Sequence, residues 1–328
     1  MKYFITGATG FIGINLAHRL VKEGNEVNAL VRNKEKAKFL DSPNIKIYYG
    51  DIHQTEVLEK AIEGVDGIFH LSAFAKPWAK DPKIYNKVNA EGTRIIYEIA
   101  QKKNIPKIVF TSTGGTYGPS YNHHITEESI RKTDFFNEYE STKFIAEKIS
   151  KDFVLKGINI VIVHPTRVYG PGNLSKSNAV TFMIKNYIDG KWRVIPGDGS
   201  KIGNYVFVDD VVEGHILAMK KGRPGEQYIL GGENASYEHF FKLIGQVNNK
   251  KYNLLKIPVS LLIGFAAIQM KLARLINKPP LLPPKWVKKY LYNWGADSTK
   301  AVNELGYSIT PLDIGIKETI KWLRKNEN

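Results

Sequence analysis

The sequence predicts an α/β fold: a doubly wound parallel sheet with helices on both faces, followed by a smaller C-terminal lobe. Three observations carry this. A strand runs into a glycine-spaced turn that opens a helix within the first thirteen residues. Apolar strand-like runs then alternate with helical ones to about residue 165, and the alternation breaks after Pro165. Right-handed crossovers between such strands give the doubly wound form, which takes its ligands at the carboxyl ends of the strands.

The first unit covers residues 3–31. Tyr3-Phe4-Ile5 reads as a strand and Gly7, Gly10 and Gly13 space the turn. Ile14 to Val21 then carries apolar residues at helical spacing until Gly24 stops it, and Glu26 to Val31 is the second strand. Gly7 suits a tight turn, Gly10 lets the backbone approach a pyrophosphate with no Cβ in the way, and Gly13 lets the helix pack on the strand. The helix N-terminus adds free N–H groups and a partial positive charge. Three glycines alone also occur in ordinary loops; the strand before them and the helix after them make the βαβ reading specific.

Further strands are expected at Ile45 to Tyr49, Gly67 to Leu71, Lys107 to Thr111 and Ile158 to His164. Helices are expected at Val57 to Ile62, Ile84 to Lys103 and Tyr139 to Lys156. Beyond Pro165 come loops rich in Gly, Pro, Asn and Ser at 170–178 and 196–204, a helix near 206–220 and a strand near 226–230. The domain division expected is 1–170 with 205–222 returning to it, and a substrate-binding lobe from 171–204 and 223–328.

At 328 residues and 43% apolar content the chain can bury a large core. With no cysteine, disulfides, thiolate metal sites and cysteine nucleophiles are excluded, which suits a reducing compartment. No metal site is expected. A strand starting directly after Met1 leaves no room for a standard secretory leader, so a cytoplasmic protein is expected. Forty-seven basic against thirty-two acidic residues leave a formal charge of +15. The lysines are scattered in short groups without a basic arm, which reads as solvated surface and not as a nucleic-acid interface.

Residues 257–268 are the most apolar stretch and too few to span a bilayer. A buried helix is the default there. The alternative is a lid or surface touching lipid, because Lys271, Arg274, Lys278, Lys285, Lys288 and Lys289 lie nearby, so peripheral membrane contact near 257–290 stays open. Pro279, Pro280, Pro283 and Pro284 read as a stiff connector.

Chemistry concentrates around Tyr139 and Lys143, four apart in Tyr-Glu-Ser-Thr-Lys, where a helix puts both on one face. A nearby ammonium favours a phenolate and lowers the phenol's pKa from about 10, making the pair a usable acid and base. The plain alternative is a tyrosine packed over an aliphatic lysine stem. Against it, the strand ending at Thr111 continues into Ser112-Thr113-Gly114-Gly115-Thr116-Tyr117-Gly118, which brings hydroxyls to the carboxyl edge of the sheet.

On these residues the chain resembles the extended short-chain dehydrogenase/reductases, a Rossmann-fold family. The match runs through Thr6 to Gly13, Gly50-Asp51-Ile52, His70 to Ala73, Asn89 with Gly92-Thr93, Ser112 to Gly118, Tyr139 to Lys143, His164 to Gly172 and Val208-Asp209-Asp210, in order, over about two-thirds of the chain. The resemblance implies a nicotinamide dinucleotide held by Gly7, Thr9, Gly10, Phe11, Ile12 and Gly13. It places Asp51 and Ile52 by the adenine, Leu71, Ala73 and Thr111 along the dinucleotide, and Pro165 and Val168 near the nicotinamide. It makes Thr113 the catalytic hydroxyl with Ser112 as fallback, Tyr139 the acid/base, and Lys143 the group binding the nicotinamide ribose. A homodimer is expected on the same ground.

Charge argues for the form of the cofactor. A carboxylate ending the second strand would hold the two adenine-ribose hydroxyls of NAD, but this chain has Arg32, Asn33, Lys34 and Lys36 there. Arg32 and Lys36 favour the 2′-phosphate of NADP(H), with NAD(H) still admissible; the alternative is an exposed surface arginine.

Departures from the family narrow the substrate. Sugar dehydratases carry an Asp-Glu pair after the catalytic Thr, where this chain has Gly114-Gly115. Nucleotide-sugar epimerases place an arginine shortly before Val-Asp-Asp, where it has Gly203-Asn204-Tyr205, so Arg193 or Lys201 would have to compensate. Trp78 and the Gly225 to Asn234 segment resemble the dihydroflavonol reductase-like branch and its hopanoid-associated relatives. That implies an oxidoreductase moving hydride to or from a carbonyl or alcohol on an apolar ring or chain substrate. Phe74, Trp78, Tyr169 and the lobe around 173–205 are the candidate substrate walls. A nucleotide-sugar epimerase, or a non-catalytic NADP(H)-binding sensor or assembly protein, are the rival readings.

Overall fold

The computed structural model describes residues 1–174, 178–275, 279–280 and 283–326. Lys278 and part of the 170–178 loop lie outside the described residues. The strands are β1 (Lys2–Thr6), β2 (Glu26–Val31), β3 (Ile45–Tyr49), β4 (Gly67–His70), β5 (Ile108–Thr111), β6 (Ile160–Pro165), β7 (Arg167–Tyr169), β8 (Val194–Pro196), β9 (Ile202–Phe207), β10 (Gln227–Leu230), β11 (Glu233–Ser236) and β12 (Leu255–Ile257).

Seven of them form one parallel sheet in the order β3-β2-β1-β4-β5-β6-β10. The chain winds from β1 outward to β3, then crosses back to β4 and winds the other way. The ends of β1 and β4 therefore form the switch point, where a crevice opens beyond the sheet. A Cβ on Gly7, whose φ is +71°, would sit 2.8 Å from the Leu71 carbonyl carbon, so the two loops close on each other there. A Cβ on Gly13 would meet the Gly7 carbonyl oxygen at 2.2 Å, which only glycine avoids.

Apolar side chains line both faces of this sheet. On one side Leu16 and Ala17 of the helix Phe11–Lys22 pack with Val211 and Val212 of the helix Val208–Lys221. On the other, Leu58, Ile96, Tyr97, Ala146 and Phe153 come from the helices Thr55–Ile62, Gly92–Lys102 and Glu138–Leu155. A separate core holds the C-terminal lobe, built on β11-β9-β7 and β12-β8 around Tyr169, Tyr205, Tyr237, Phe240 and Ile316.

Three expectations are corrected. The edge strand β10 falls at 227–230 and belongs to the large sheet, so the boundary at 223 is misplaced; its buried Tyr228-Ile229-Leu230 reads as a strand without revealing which sheet it joins. The single helix expected over 84–103 is interrupted by a π-helical turn at Lys87–Glu91. The apolar segment after residue 257 forms the helix Val259–Leu275, but it is not a buried helix: Leu261, Phe265, Ile268 and Leu272 are each 56–64% exposed.

Candidate active site

The helix Glu138–Leu155 begins where the Asn137 side chain accepts from the Glu140 N–H at 2.9 Å, with Glu138 and Glu140 in its first turn. Tyr139 therefore sits in the first turn and Lys143 one turn later, both toward the carboxyl end of β5. There Thr113 follows the strand in extended conformation, its Oγ1 accepting from the Gly115 N–H at 3.2 Å. The Thr113 hydroxyl lies near enough to the Tyr139 phenol to favour its ionised form.

Burial decides the protonation of this pair. It pushes the Tyr139 phenol up to about 12, against the lowering effect of the Thr113 hydroxyl. It pulls the Lys143 ammonium down to about 7, with Glu147 working the other way. The expected lowering of the phenol by its lysine is thus not what the structure shows: burial, Glu140 and Glu147 raise it and only Thr113 lowers it, while Lys143 Nζ lies over the Phe110 ring, 4.0 Å from its centroid. Beneath it His70, bonded to Thr6 at 2.6 Å and Thr93 at 2.9 Å, is held down to about 3 by burial and by Lys143.

A cleft of about 360 Å³ runs past these groups. Gly7, Gly10, Phe11, Ile12 and Gly13 form one end of its wall, and Leu71, Ala73, Thr111, Ser112, Thr113, Tyr139, Pro165 and Val168 continue it. No side chain caps the helix Phe11–Lys22 and its first turn carries no acid, which leaves that N-terminus suited to an anion. Thr9 is half-buried in the same turn. Beyond the cleft, Arg32 Nη1 lies 3.4 Å from the Asp51 carboxylate, which also takes His53 Nδ1 at 2.8 Å; Lys36 is exposed on the short helix Lys34–Ala37. Ile52 packs its side chain into the core, where it would meet a Cβ on Gly92 at 2.9 Å.

Several expected contacts are not brought to the cleft. Tyr169 is fully buried in the C-terminal lobe, its ring against Phe207 and its hydroxyl over Gly315. Phe74 packs edge-on against Tyr85, and neither it nor Trp78 lines the wall. Ser112 does line the cleft, and its hydroxyl donates to Glu147. Arg193, named as a possible phosphate clamp, lies 3.9 Å over the Tyr252 ring.

Other residues enter to which the sequence assigns no role in the site. Asn89, in the π turn, accepts from the Phe74 N–H at 2.7 Å and donates to Thr142 Oγ1 at 2.9 Å, tying the loop after β4 to the Tyr139 helix. Arg167, Trp286 and Lys289 line the cleft, with Glu140 bound by Arg131 at 2.9 Å and Lys289 at 2.6 Å. Asn89 is legible in the sequence as part of the family match, but its bridging role is not.

A glycine cradle at the switch point and a hydroxyl–phenol pair beside it define an enzyme of the extended short-chain dehydrogenase/reductase class. The chain belongs to the NAD dependent epimerase/dehydratase family, whose model matches residues 3–231. NAD(P) binding is typical of that family. The chain is 28% identical to a putative dihydroflavonol 4-reductase of Synechocystis sp., over 99% of this chain and 95% of that protein. It is 27% identical to sterol demethylase protein B of Methylococcus capsulatus, over 99% of each. Among solved structures it superposes on gox2253 with a TM-score of 0.84 and 29% identity, covering 99% of this chain and 98% of that one.

Proposed function

We propose that this chain is an NADP(H)-dependent oxidoreductase that reduces a carbonyl, or oxidises the matching alcohol, on an apolar or ring substrate. The observation that carries the reading is that Thr113 and Tyr139 stand together on the wall of the cleft that begins at the glycine turn. Relatives named for a dihydroflavonol and a sterol support a ring substrate.

The residues fit the cofactor. The first helix turn and its glycines would hold the pyrophosphate, Leu71 and Ala73 would flank the dinucleotide, Lys143 would take the ribose, and Pro165 and Val168 would border the nicotinamide. Asp51 and the Ile52 backbone would lie by the adenine, while Arg32 and Lys36 would receive the 2′-phosphate. When bound, the nicotinamide supplies or accepts the hydride. Tyr139, held neutral by burial, is a proton donor over the neutral range and gives its proton to the substrate oxygen as hydride reaches the carbon. Thr113 hydrogen-bonds the same oxygen, which places a fixed dipole where charge develops. In the reverse direction the phenol oxygen takes the alcohol proton.

The test is an NADPH-oxidation screen over ketones, aldehydes and nucleotide sugars, with mass identification of any copurified ligand. Stoichiometric NADPH consumption with alcohol formation supports the reading. Sugar interconversion with the dinucleotide retained makes the chain an epimerase, and binding with no conversion makes it a sensor or assembly protein.

A further inference from the structure

The substrate end of the cleft carries more positive than negative charge. Arg131 and Lys289 share the single carboxylate of Glu140. Arg167 adds a third cation, and among the described residues it makes no ion pair. Its partners are phenols: Nη1 donates to the Tyr237 hydroxyl at 2.6 Å, and the guanidinium carbon lies 5.7 Å from the Tyr205 ring centroid. Lys289 is held below its ordinary range by burial, offset by Glu140, with Arg167 and Arg131 adding to the lowering. Two cations on one carboxylate, with Arg167 near enough to act on Lys289, leave this wall of the cleft with an excess of positive charge that an anion would offset.

A buried donor beside them is also unspent. The Trp286 indole N–H lines the cleft and has no hydrogen-bond partner among the described residues. Space for the guanidinium comes from Gly203, where a Cβ would stand 2.6 Å from Arg167 Nη1. The missing side chain on β9 thus leaves room that a cation from β7 fills.

We propose that the substrate carries an oxyanion group, a carboxylate or a phosphate, seated on Arg167 with Trp286 and Lys289 beside it. This rests on the oxidoreductase reading for the word substrate, but binding is measured without turnover. An arginine fork matches a planar or tetrahedral oxyanion through two N–H groups, which a lysine cannot reproduce. Calorimetric titration of the full chain with benzoate, phenyl phosphate and benzyl alcohol, with and without NADP+, is the experiment. At least one anion is expected to bind at least tenfold tighter than benzyl alcohol; the stronger of the two names the group. Arg167→Gln should cut the anion-over-alcohol preference at least tenfold, Arg167→Lys should restore part of it, and Trp286→Phe should lower it a few-fold. No preference for either anion, or the same preference in Arg167→Gln with the fold intact by circular dichroism, overturns the seat. Failure of the seat with NADPH oxidation intact leaves the oxidoreductase standing; anion binding without NADPH oxidation does the reverse.

A different observation carries a second inference. Leu261, Phe265, Ile268 and Leu272 form one exposed stripe on the helix Val259–Leu275, whose opposite side packs through Val259 and Ala266 against Val287. Exposed Lys271 follows on the same helix and exposed Lys285 and Lys288 lie on the next segment, in a chain of net charge +15. Among the described residues no helix is long and apolar enough to cross a membrane. We infer that this stripe lies flat on an anionic lipid surface, apolar side chains among the acyl chains and lysines at the headgroups. Sedimentation with phosphatidylglycerol-containing vesicles should carry the chain down, phosphatidylcholine alone should do so less, and the double substitution Phe265→Ser with Ile268→Ser should reduce the bound fraction at least tenfold. Absence of binding to either vesicle overturns it, as does a dimer that the same double substitution dissociates.

Discussion

The ammonium of Lys143 lies 4.0 Å from the centre of the Phe110 ring, on a residue only 1% exposed. Burial holds its pKa at about 7 in the folded chain, against an ordinary 10.5 once unfolded. Between those values the unfolded chain holds one more proton than the folded one, so stability from this group rises with pH. Below about pH 7 the charge is buried at full cost. Lys143→Met, which removes that cost, is therefore expected to be more stable than the parent at about pH 6, with the gap closing toward about pH 9. Thermal denaturation of both proteins without cofactor across that range checks it; a gap independent of pH contradicts the burial account.

Arg32 bears on cofactor choice. Its side chain is 63% exposed and its pairing with Asp51 at 3.4 Å is long, so little holds it away from an incoming phosphate. Arg32→Asp should weaken NADPH binding about tenfold or more, the scale of a lost charge-assisted hydrogen bond, and shift preference toward NADH. Fluorescence titration with both dinucleotides measures this. Unchanged NADPH affinity removes the phosphate role.

Asn89 links two loops through one side chain. Replacing it with alanine leaves the Phe74 N–H without its acceptor and removes the donor to Thr142, a loss of about 1–3 kcal/mol if water does not replace them. A lower melting temperature together with a reduced kcat is expected, because the Tyr139 helix loses a brace on its first turns. A stable variant with parental kcat would show the bridge to be incidental.

Legibility in the sequence followed backbone demand. Gly7 and Gly13 could be read because the turn admits no other residue type, and Tyr139 and Lys143 because four residues make one helical turn. Arg167 could not be: its meaning depends on the space left by Gly203 on a different strand, a relation no local pattern records. Tyr169 was misread for the same reason, since its neighbour Gly315 comes from the final helix. The sequence shows the charge beside Tyr139, whereas its protonation is set first by the desolvation of a half-buried phenol, which only the fold reveals.

The central claim is that the Tyr139 phenol delivers the proton that accompanies hydride transfer. Comparing NADPH-dependent turnover in the parent and in Tyr139→Phe, on whichever carbonyl the screen identifies, tests it most directly. A fall in kcat of about 10²–10⁴, with NADPH affinity near that of the parent, is the predicted result. Turnover retained in Tyr139→Phe would contradict it.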